Sequence, residues 1–481
     1  MTSAGKKTPS PAPGPMAILV VQPMKLGDLV QSTPLLSELR KASQGVALLA
    51  TRPEVAKAAA MTGLVDQVTV VSESEFAGGK LAAGTRRELG GLTDNLDLLV
   101  NLSSSAPSLA FCQSLKARER WGPRLENGRL FLPPAQRLAA AIMSVNRSLG
   151  RLNLVDLWRL LTPAGAQASR SLCWPVGKVA LAGMPQADFF LPKDGPGASP
   201  LVGLHLGSGH RLRRWPVERF VALAQSLAQS EARLILMGGP GERSLARRFL
   251  ALWGDQAPRP LDLSGQTTLD LLGPVIGELD LLVSADTGVA HVAAAVGTRI
   301  LSIFGGPALA GETAPYSLSV VAIQGRSNCS PCAESPQCPG SPCLALPEAG
   351  QVTAAAQGLL WPGAFGPAQP GSRAQAYVTF QDSLGQAIRP MAPTWLDDQE
   401  RLALAVREAA AASLVAGHAP GLGRQNLADC AIAPNSLPAD KLRPTVDSIA
   451  ALAFGQPQLS KAFSEAAMEA LALISRQAAR P

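Results

Sequence analysis

The sequence predicts an α/β protein: two Rossmann-like halves followed by a mainly helical C-terminal extension. Three observations lead there. Apolar, β-branched runs alternate with helix-spaced leucines from Ala17 to Asn101, the pattern of βαβ units around a parallel sheet. Residues 192–200, Pro-Lys-Asp-Gly-Pro-Gly-Ala-Ser-Pro, are a dense run of turn formers, and the alternation resumes after them at Leu201. Beyond Trp361 it stops, and two Ala-rich amphipathic helices dominate. The expected limits are a disordered, Pro-rich tail at 1–15, a first domain at 16–197, a second at 198–361 and an extension at 362–481.

The elements follow in order. Ala17 to Val21 reads as the first buried strand. The loop Gln22 to Asp28 leads into a helix from about Leu29 to Lys41, with Leu35, Leu36 and Leu39 on one face. Strands are expected at Val46–Ala50, Gln67–Val71 and Leu96–Asn101, with a helix at Arg52–Met61. Residues 118–175 are less regular, with helices at Arg137–Leu149 and Asn153–Leu161. The second half reads as strand Leu201–Leu206, helix Val217–Gln229, strand Arg233–Met237, helix Glu242–Leu252 and helix Leu269–Glu278. A strand then runs to Val283, followed by a polar turn, a short helix closed by Gly297, and a strand from Arg299 to Phe304. In the extension, a strand is expected at Ala376–Phe380 and helices at Leu396–Ala416 and Leu459–Ala479.

Bulk properties narrow the function. A length of 481 residues exceeds one core. Apolar content of 47% with 16% charge is globular. A formal charge of +7 suits an anionic partner. Nucleic acid is not expected, because no basic helix or aromatic-interleaved basic strip is present. No apolar stretch follows Lys6-Lys7, so no secretory signal is expected. No apolar run reaches the ~18 residues of a spanning helix. The expected compartment is the cytoplasm, with peripheral contact at the inner membrane left open. Seven cysteines in so long a chain do not form a disulfide scaffold.

Candidate site residues gather where strands end and helices begin, which is where open α/β sheets bind ligands. Ser284-Ala285-Asp286-Thr287-Gly288-Val289-Ala290-His291 joins a strand to a helix. A helix start offers unpaired N–H groups and partial positive charge, suited to phosphate. Asp286 and Thr287 are equally plain helix caps, and His291 alone would be a core histidine. Gly207-Ser208-Gly209-His210-Arg211-Leu212-Arg213-Arg214 brings guanidinium groups to a glycine turn, as a phosphate site or as a solvated basic loop. Gly238-Gly239-Pro240-Gly241-Glu242 lacks the G-x-G-x-x-G spacing of a dinucleotide site. Glu242 either meets ribose hydroxyls or is a first-turn acid. Asp28 is either a helix N-cap or a general base for an acceptor hydroxyl. Glu312 and Thr313 are placed to line the same site. Two α/β halves predict that this site lies in a cleft between them. Cys329, Cys332, Cys338 and Cys343 are either zinc ligands or reduced or disulfide-bonded thiols.

Taken together, the ordered segments Lys25-Leu26-Gly27-Asp28 with Thr33-Pro34, Arg213-Arg214-Trp215-Pro216, Gly238 to Glu242, Ser284 to His291 and Cys329-Ser330-Pro331-Cys332 resemble glycosyltransferase family 9, the lipopolysaccharide heptosyltransferases, over about residues 16–360. The resemblance implies a GT-B fold whose second domain holds the donor. It implies an inverting transfer with Asp28 as base and no required cofactor or metal. Ser208 and Arg213 would hold the donor phosphates, Glu242 the ribose, and Asp286, Thr287, Gly288 and His291 the ADP part of ADP-heptose. The implied acceptor is a glycolipid, the lipid A–Kdo or heptose inner core. Two departures stand out. Gln22-Pro23-Met24 replaces the usual Arg-x-Ser type loop, and the residues after Cys338 lack the His pair that many relatives carry. Another nucleotide sugar or acceptor on the same fold is the main alternative, and a non-catalytic sugar-nucleotide or zinc-binding protein is the other.

Overall fold

The computed structural model describes residues 17–21, 25–43, 45–50, 52–79, 81–89, 95–176, 186–190, 199–327, 329–332, 338, 342–361, 374–391, 394–396, 398–415, 430–432, 437–454 and 456–478. The tail at 1–15, the loop 22–24 and most of the 192–200 cluster lie outside them. The chain forms two compact units. One comprises Met1–Met24 and Leu36–Phe131, the other Lys25–Leu35 and Leu132–Pro481. The start of the first long helix, Leu26–Ala42, therefore clusters with the larger unit.

The smaller unit is a parallel sheet of β1 (Ala17–Val21), β2 (Gly45–Ala50), β3 (Gln67–Val70), β4 (Leu96–Asn101) and β5 (Ala117–Trp121), in the order β3-β2-β1-β4-β5. Ile18 sits beside Val46 on one side and Leu98 on the other. This central strand is buried along nearly its whole length, which is why it reads as a continuous apolar run and not as an alternation. A short hairpin, β6 (Arg124–Glu126) and β7 (Arg129–Phe131), ends the unit.

The larger unit holds an eight-stranded sheet of β8 (Leu201–His205), β9 (Arg233–Met237), β10 (Leu261–Asp262), β11 (Leu281–Ala285), β12 (Ile300–Phe304), β13 (Val320–Gly325), β14 (Ala374–Gln381) and β15 (Gln386–Pro390), in the order β10-β9-β8-β11-β12-β13-β14-β15. The first six are parallel, and strand order reverses between β8 and β11. β14 and β15 are antiparallel additions from the extension, with Val321 opposite Val378.

The extension is part of the larger unit's packing. Helices Asp398–Leu414, Ala439–Phe454 and Pro457–Ala478 bury Ala403, Val406, Ile449, Phe463 and Leu471 in one core with Leu138, Ile142 and Leu149. The latter three come from Pro134–Asn146 and the turn after it. Residues 132–176, which sequence alone assigns to the first half, thus share a core with the C-terminal helices. The helix at Ala439–Phe454 was not anticipated; Pro444 inside it masks the periodicity.

Candidate functional site

The site residues of the larger unit lie at the carboxyl ends of β8, β9 and β11, around the point where strand order reverses. Strands on either side of such a point send their connections to opposite faces and leave a crevice. β8 ends in His205 and the Gly207–Arg214 loop, β9 in Gly238–Glu242, and β11 in the Ser284–Gly288 turn.

Two helices begin side by side there. One starts at Leu26, the other at Gly288 and runs to Val296. A Cβ on Gly288 would lie 3.1 Å from the Gly27 nitrogen, and one on Gly27 would lie 2.8 Å from His291 Cδ2. The two glycines therefore let two helix N-termini converge, and both partial positive ends meet one place. This is the physical reason for Gly27 and Gly288, beyond any need for unusual dihedrals.

Around that convergence stand Asp28, Asp286, His291, Arg213 and Lys25. Arg213 Nη1 donates to Asp286 Oδ2 at 3.0 Å. His291 Nε2 lies 3.9 Å from Asp286 Oδ1, and Thr313 also hydrogen-bonds that carboxylate. Burial raises the Asp286 carboxyl above its ordinary value, with Arg213 opposing. Asp28 is half-buried. Burial raises its carboxyl too, against the hydrogen bond from Lys25 N and the neighbouring His291, while Asp286 adds to the rise. Burial brings His291 down to about 4, so it is neutral at physiological pH, and its Nδ1 has no hydrogen-bond partner among the described residues. Lys25, which sequence reading did not single out, acts electrostatically on both carboxylates.

Asp28 is not the N-cap. The Lys25 carbonyl accepts from Leu29 N at 3.1 Å, which makes Lys25 the cap, and Asp28 Oδ2 accepts from Lys25 N at 2.9 Å. The carboxylate reaches back from the third helical position, as in half of a capping box. Capping and a place in the charged cluster thus coexist in one side chain.

A second polar chain runs from Glu242. Its Oε2 accepts from Gly239 N at 2.7 Å and lies 3.4 Å from His205 Nε2. His205 Nδ1 is 3.3 Å from Ser284 Oγ, which is 2.9 Å from Thr287 Oγ1. Burial raises the Glu242 carboxyl, but the His205 interaction and the Gly239 N–H outweigh it, and the net shift is downward. Glu242 is therefore a fixed anion. Gly207, read in the sequence as room for a ligand, is room for Glu242: a Cβ there would lie 1.5 Å from its Oε1. His205 was missed because a buried strand terminus looks like core.

The arginines of the loop divide their work. Arg213 reaches Asp286, while Arg214 donates twice to the Ser208 carbonyl and so fixes the loop. Ser208 is buried, with its Oγ accepting from His210 N at 3.3 Å. Trp215 anchors the loop from below, its Nε1 donating to the Pro347 carbonyl at 2.9 Å. Glu312 pairs with Arg147 at 2.8 Å. Among the cysteines, Cys343 is buried and its Sγ accepts from Gly306 N, while Cys329 is exposed. Among the described residues no group of three or more His, Cys, Asp or Glu is arranged to hold a metal ion.

A family model described as glycosyltransferase family 9 (heptosyltransferase) matches residues 170–340. Lipopolysaccharide heptosyltransferase 2 of Salmonella typhimurium is 26% identical over 313 residues, 63% of this chain and 86% of that protein. Over residues 170–340 the chain is similar to glycosyltransferase family 9. The likeness to lipopolysaccharide heptosyltransferase 3 of Escherichia coli is 33% over 91 residues and spans only 27% of that protein. A family 9 glycosyltransferase from Veillonella parvula superposes with a TM-score of 0.54 at 18% identity, covering 73% of this chain and 98% of that one. The fold class is accordingly GT-B, with a helical C-terminal region added. Ser208, Arg213, Glu242, Asp286, Thr287, Gly288 and His291 fall inside the matched residues. Asp28 and the whole extension fall outside them. No helix among the described residues is long and apolar enough to cross a membrane.

Proposed function

We propose that the protein moves a heptose from ADP-heptose to an inner-core glycolipid acceptor, lipid A–Kdo or a heptose already attached to it, with inversion at the anomeric carbon. The observation that carries this reading is the single cluster in which Asp28, Asp286, Arg213, His291 and Lys25 meet two helix N-termini. Asp28 acts as the base: it takes the proton of the attacking acceptor hydroxyl as the new glycosidic bond forms. Its raised carboxyl is the better proton acceptor for it. The bond from the anomeric carbon to the diphosphate breaks, and ADP leaves with the electron pair. Arg213, Lys25 and the N–H groups at Gly288 are preorganised for the growing charge, so the leaving group needs no metal in this scheme. Asp286 orients Arg213, and Glu242, held as an anion, accepts from ribose hydroxyls. Thr287 and Ser208 complete the donor contacts. The transfer takes place at the cytoplasmic face of the inner membrane, with the protein held there peripherally by its acceptor.

Asp28→Asn tests the central role. The variant is expected to bind ADP within about threefold of the parent and to lose turnover by about 10²–10⁴-fold, the usual contribution of a general base. Turnover close to the parent's would remove Asp28 as base. A donor screen tests the substrate: ADP release only with ADP-heptose supports the reading, and UDP release from a UDP-sugar rejects it.

A further inference from the structure

His205 is the polar end of a buried strand. It closes β8, beside which strand order reverses, and the register sets it next to Met237 of β9 on one side and Ser284 of β11 on the other. The residue is 4% exposed, so it lies behind the surface that a ligand would meet. A buried imidazole costs free energy unless its polar atoms are paired, and an apolar side chain would carry no such cost at this strand end. The histidine is therefore explained by what its two nitrogens hold.

Nε2 lies 3.4 Å from Glu242 Oε2. A carboxylate only accepts, so Nε2 carries the proton that points at it. Oε2 also takes the Gly239 N–H, whereas Oε1 has no donor among the described residues. Nδ1 faces two hydroxyls, Ser284 Oγ at 3.3 Å and Thr287 Oγ1 at 3.5 Å, which are 2.9 Å from each other. Glu242 and Thr287 are both half-buried. They stand on loops that leave different strands, and Thr287 is the N-cap of the helix that starts at Gly288. Through one imidazole, the carboxylate of one loop and the helix-start hydroxyl of the other share a single polar chain.

We infer that His205 is a positioning residue for the nucleotide: it holds the Glu242 carboxylate for the ribose and the Thr287 hydroxyl for the diphosphate in one register. This rests on the donor contacts proposed above and adds that the two ends of the nucleotide are bound as a unit. Side chains with no shared partner act additively, whereas members of one network do not. Glu242 and Thr287 meet through His205, so a loss at one end is felt at the other. A hydrogen bond to a charged group is worth roughly ten- to hundredfold in affinity. Oε1 held in place by the histidine supplies that to a ribose hydroxyl, and a carboxylate free to swing does not.

Calorimetric titration of the full-length protein tests it, with ADP and 2′,3′-dideoxy-ADP as probes. The parent is expected to favour ADP by about 10–100-fold. His205→Gln brings an amide N–H near the Nε2 position and should keep a preference of about tenfold or more. His205→Asn reaches only the Nδ1 position, leaves Glu242 without its side-chain donor, and should bring the preference within about threefold. Both variants lose the same ring, so the contrast between them is not one of packing. Glu242→Gln and Thr287→Val, at half-buried positions, give a second measurement that leaves His205 in place. Their combined loss of ADP affinity should fall short of the product of the two by more than about twofold. An Asn variant that favours ADP as strongly as the Gln variant does, equal loss in both, or independent losses for Glu242→Gln and Thr287→Val would each overturn the role of His205 while the donor contacts stand. A parent that binds both nucleotides equally would remove Glu242 from the ribose, and this inference with it.

Discussion

Gly207 shows how far a single missing Cβ reaches. Its Cα faces the Glu242 carboxylate so closely that alanine would lie 1.5 Å from Oε1. Gly207→Ala must therefore push Glu242 off His205 and the Gly239 N–H. The expected cost is about 1–3 kcal/mol, together with a weaker affinity for ADP and its riboside, read by melting temperature and by titration. His291 carries a pH signature. Its imidazole ordinarily titrates near 6.5 and in the folded protein near 4. A depressed histidine contributes stability that is present above 6.5 and lost as pH falls through that window toward 4, because the unfolded chain binds the proton first. The loss is up to about 3 kcal/mol. Asp28 and Asp286, both raised, act with the opposite sign: they favour the folded state as pH falls. His291→Gln isolates the histidine, and its melting temperature should fall less steeply than the parent's between pH 6.5 and 4. Equal slopes would mean that His291 titrates as it does in water.

At the scale of elements, the site depends on two helix starts touching through Gly27 and Gly288. Gly27→Ala and Gly288→Ala each insert a methyl into the same gap, against His291 and against the backbone of the opposite helix. Each is expected to weaken ADP binding roughly tenfold. The double variant should cost clearly less than the sum, since contacting sites couple by about 0.5–3 kcal/mol. Strict additivity would show that the two helix starts move independently. Much of this level was legible in the sequence. The strand-to-helix turns at Asp28, Gly207, Glu242 and Asp286 could be placed because glycine and short polar residues punctuate apolar runs there. What could not be placed was which glycine serves which partner. Gly207 answers to Glu242, thirty-five positions away in sequence, and local pattern holds no record of such a pairing. The cap-or-base question for Asp28 had the same origin, since either reading needs an acid near a helix start.

For the whole molecule, the extension is where sequence reading stopped and where the fold holds most that is particular to this chain. Residues 362–481 carry no chemical motif, so they read as an appendage. Instead β14 and β15 finish the larger sheet, and the last three helices close a core whose other wall is Pro134–Asn146. An ion pair and buried hydrogen bonds pin them. Arg407 donates to Asp382 through Nε at 3.0 Å and Nη2 at 2.8 Å, and through Nη1 to the Arg151 carbonyl at 2.9 Å. Asp156 accepts from Tyr316 OH at 2.7 Å and from Gln386 N at 2.9 Å. The contacts of Arg151 with Arg407 and of Asp156 with Gln386 join residues more than 200 positions apart and leave no periodicity to read. They also make a prediction about the whole. Arg407→Ala takes the guanidinium from the Arg151 carbonyl and from Asp382, whose Oδ1 keeps only the Leu384 and Gly385 N–H groups, which costs about 3–5 kcal/mol. If the extension is integral, that loss appears throughout the larger unit: the melting transition stays single, shifts down, and ADP binding is lost across the same transition. If the extension is an appendage, Arg407→Ala splits the melt in two, and ADP protection of the later transition persists after the C-terminal helices have unfolded. Circular dichroism with and without ADP separates these outcomes, because the helices at 398–478 hold much of the helical signal. The burial of Ala403, Val406 and Phe463 against Leu138 and Ile142 favours the single, shifted transition.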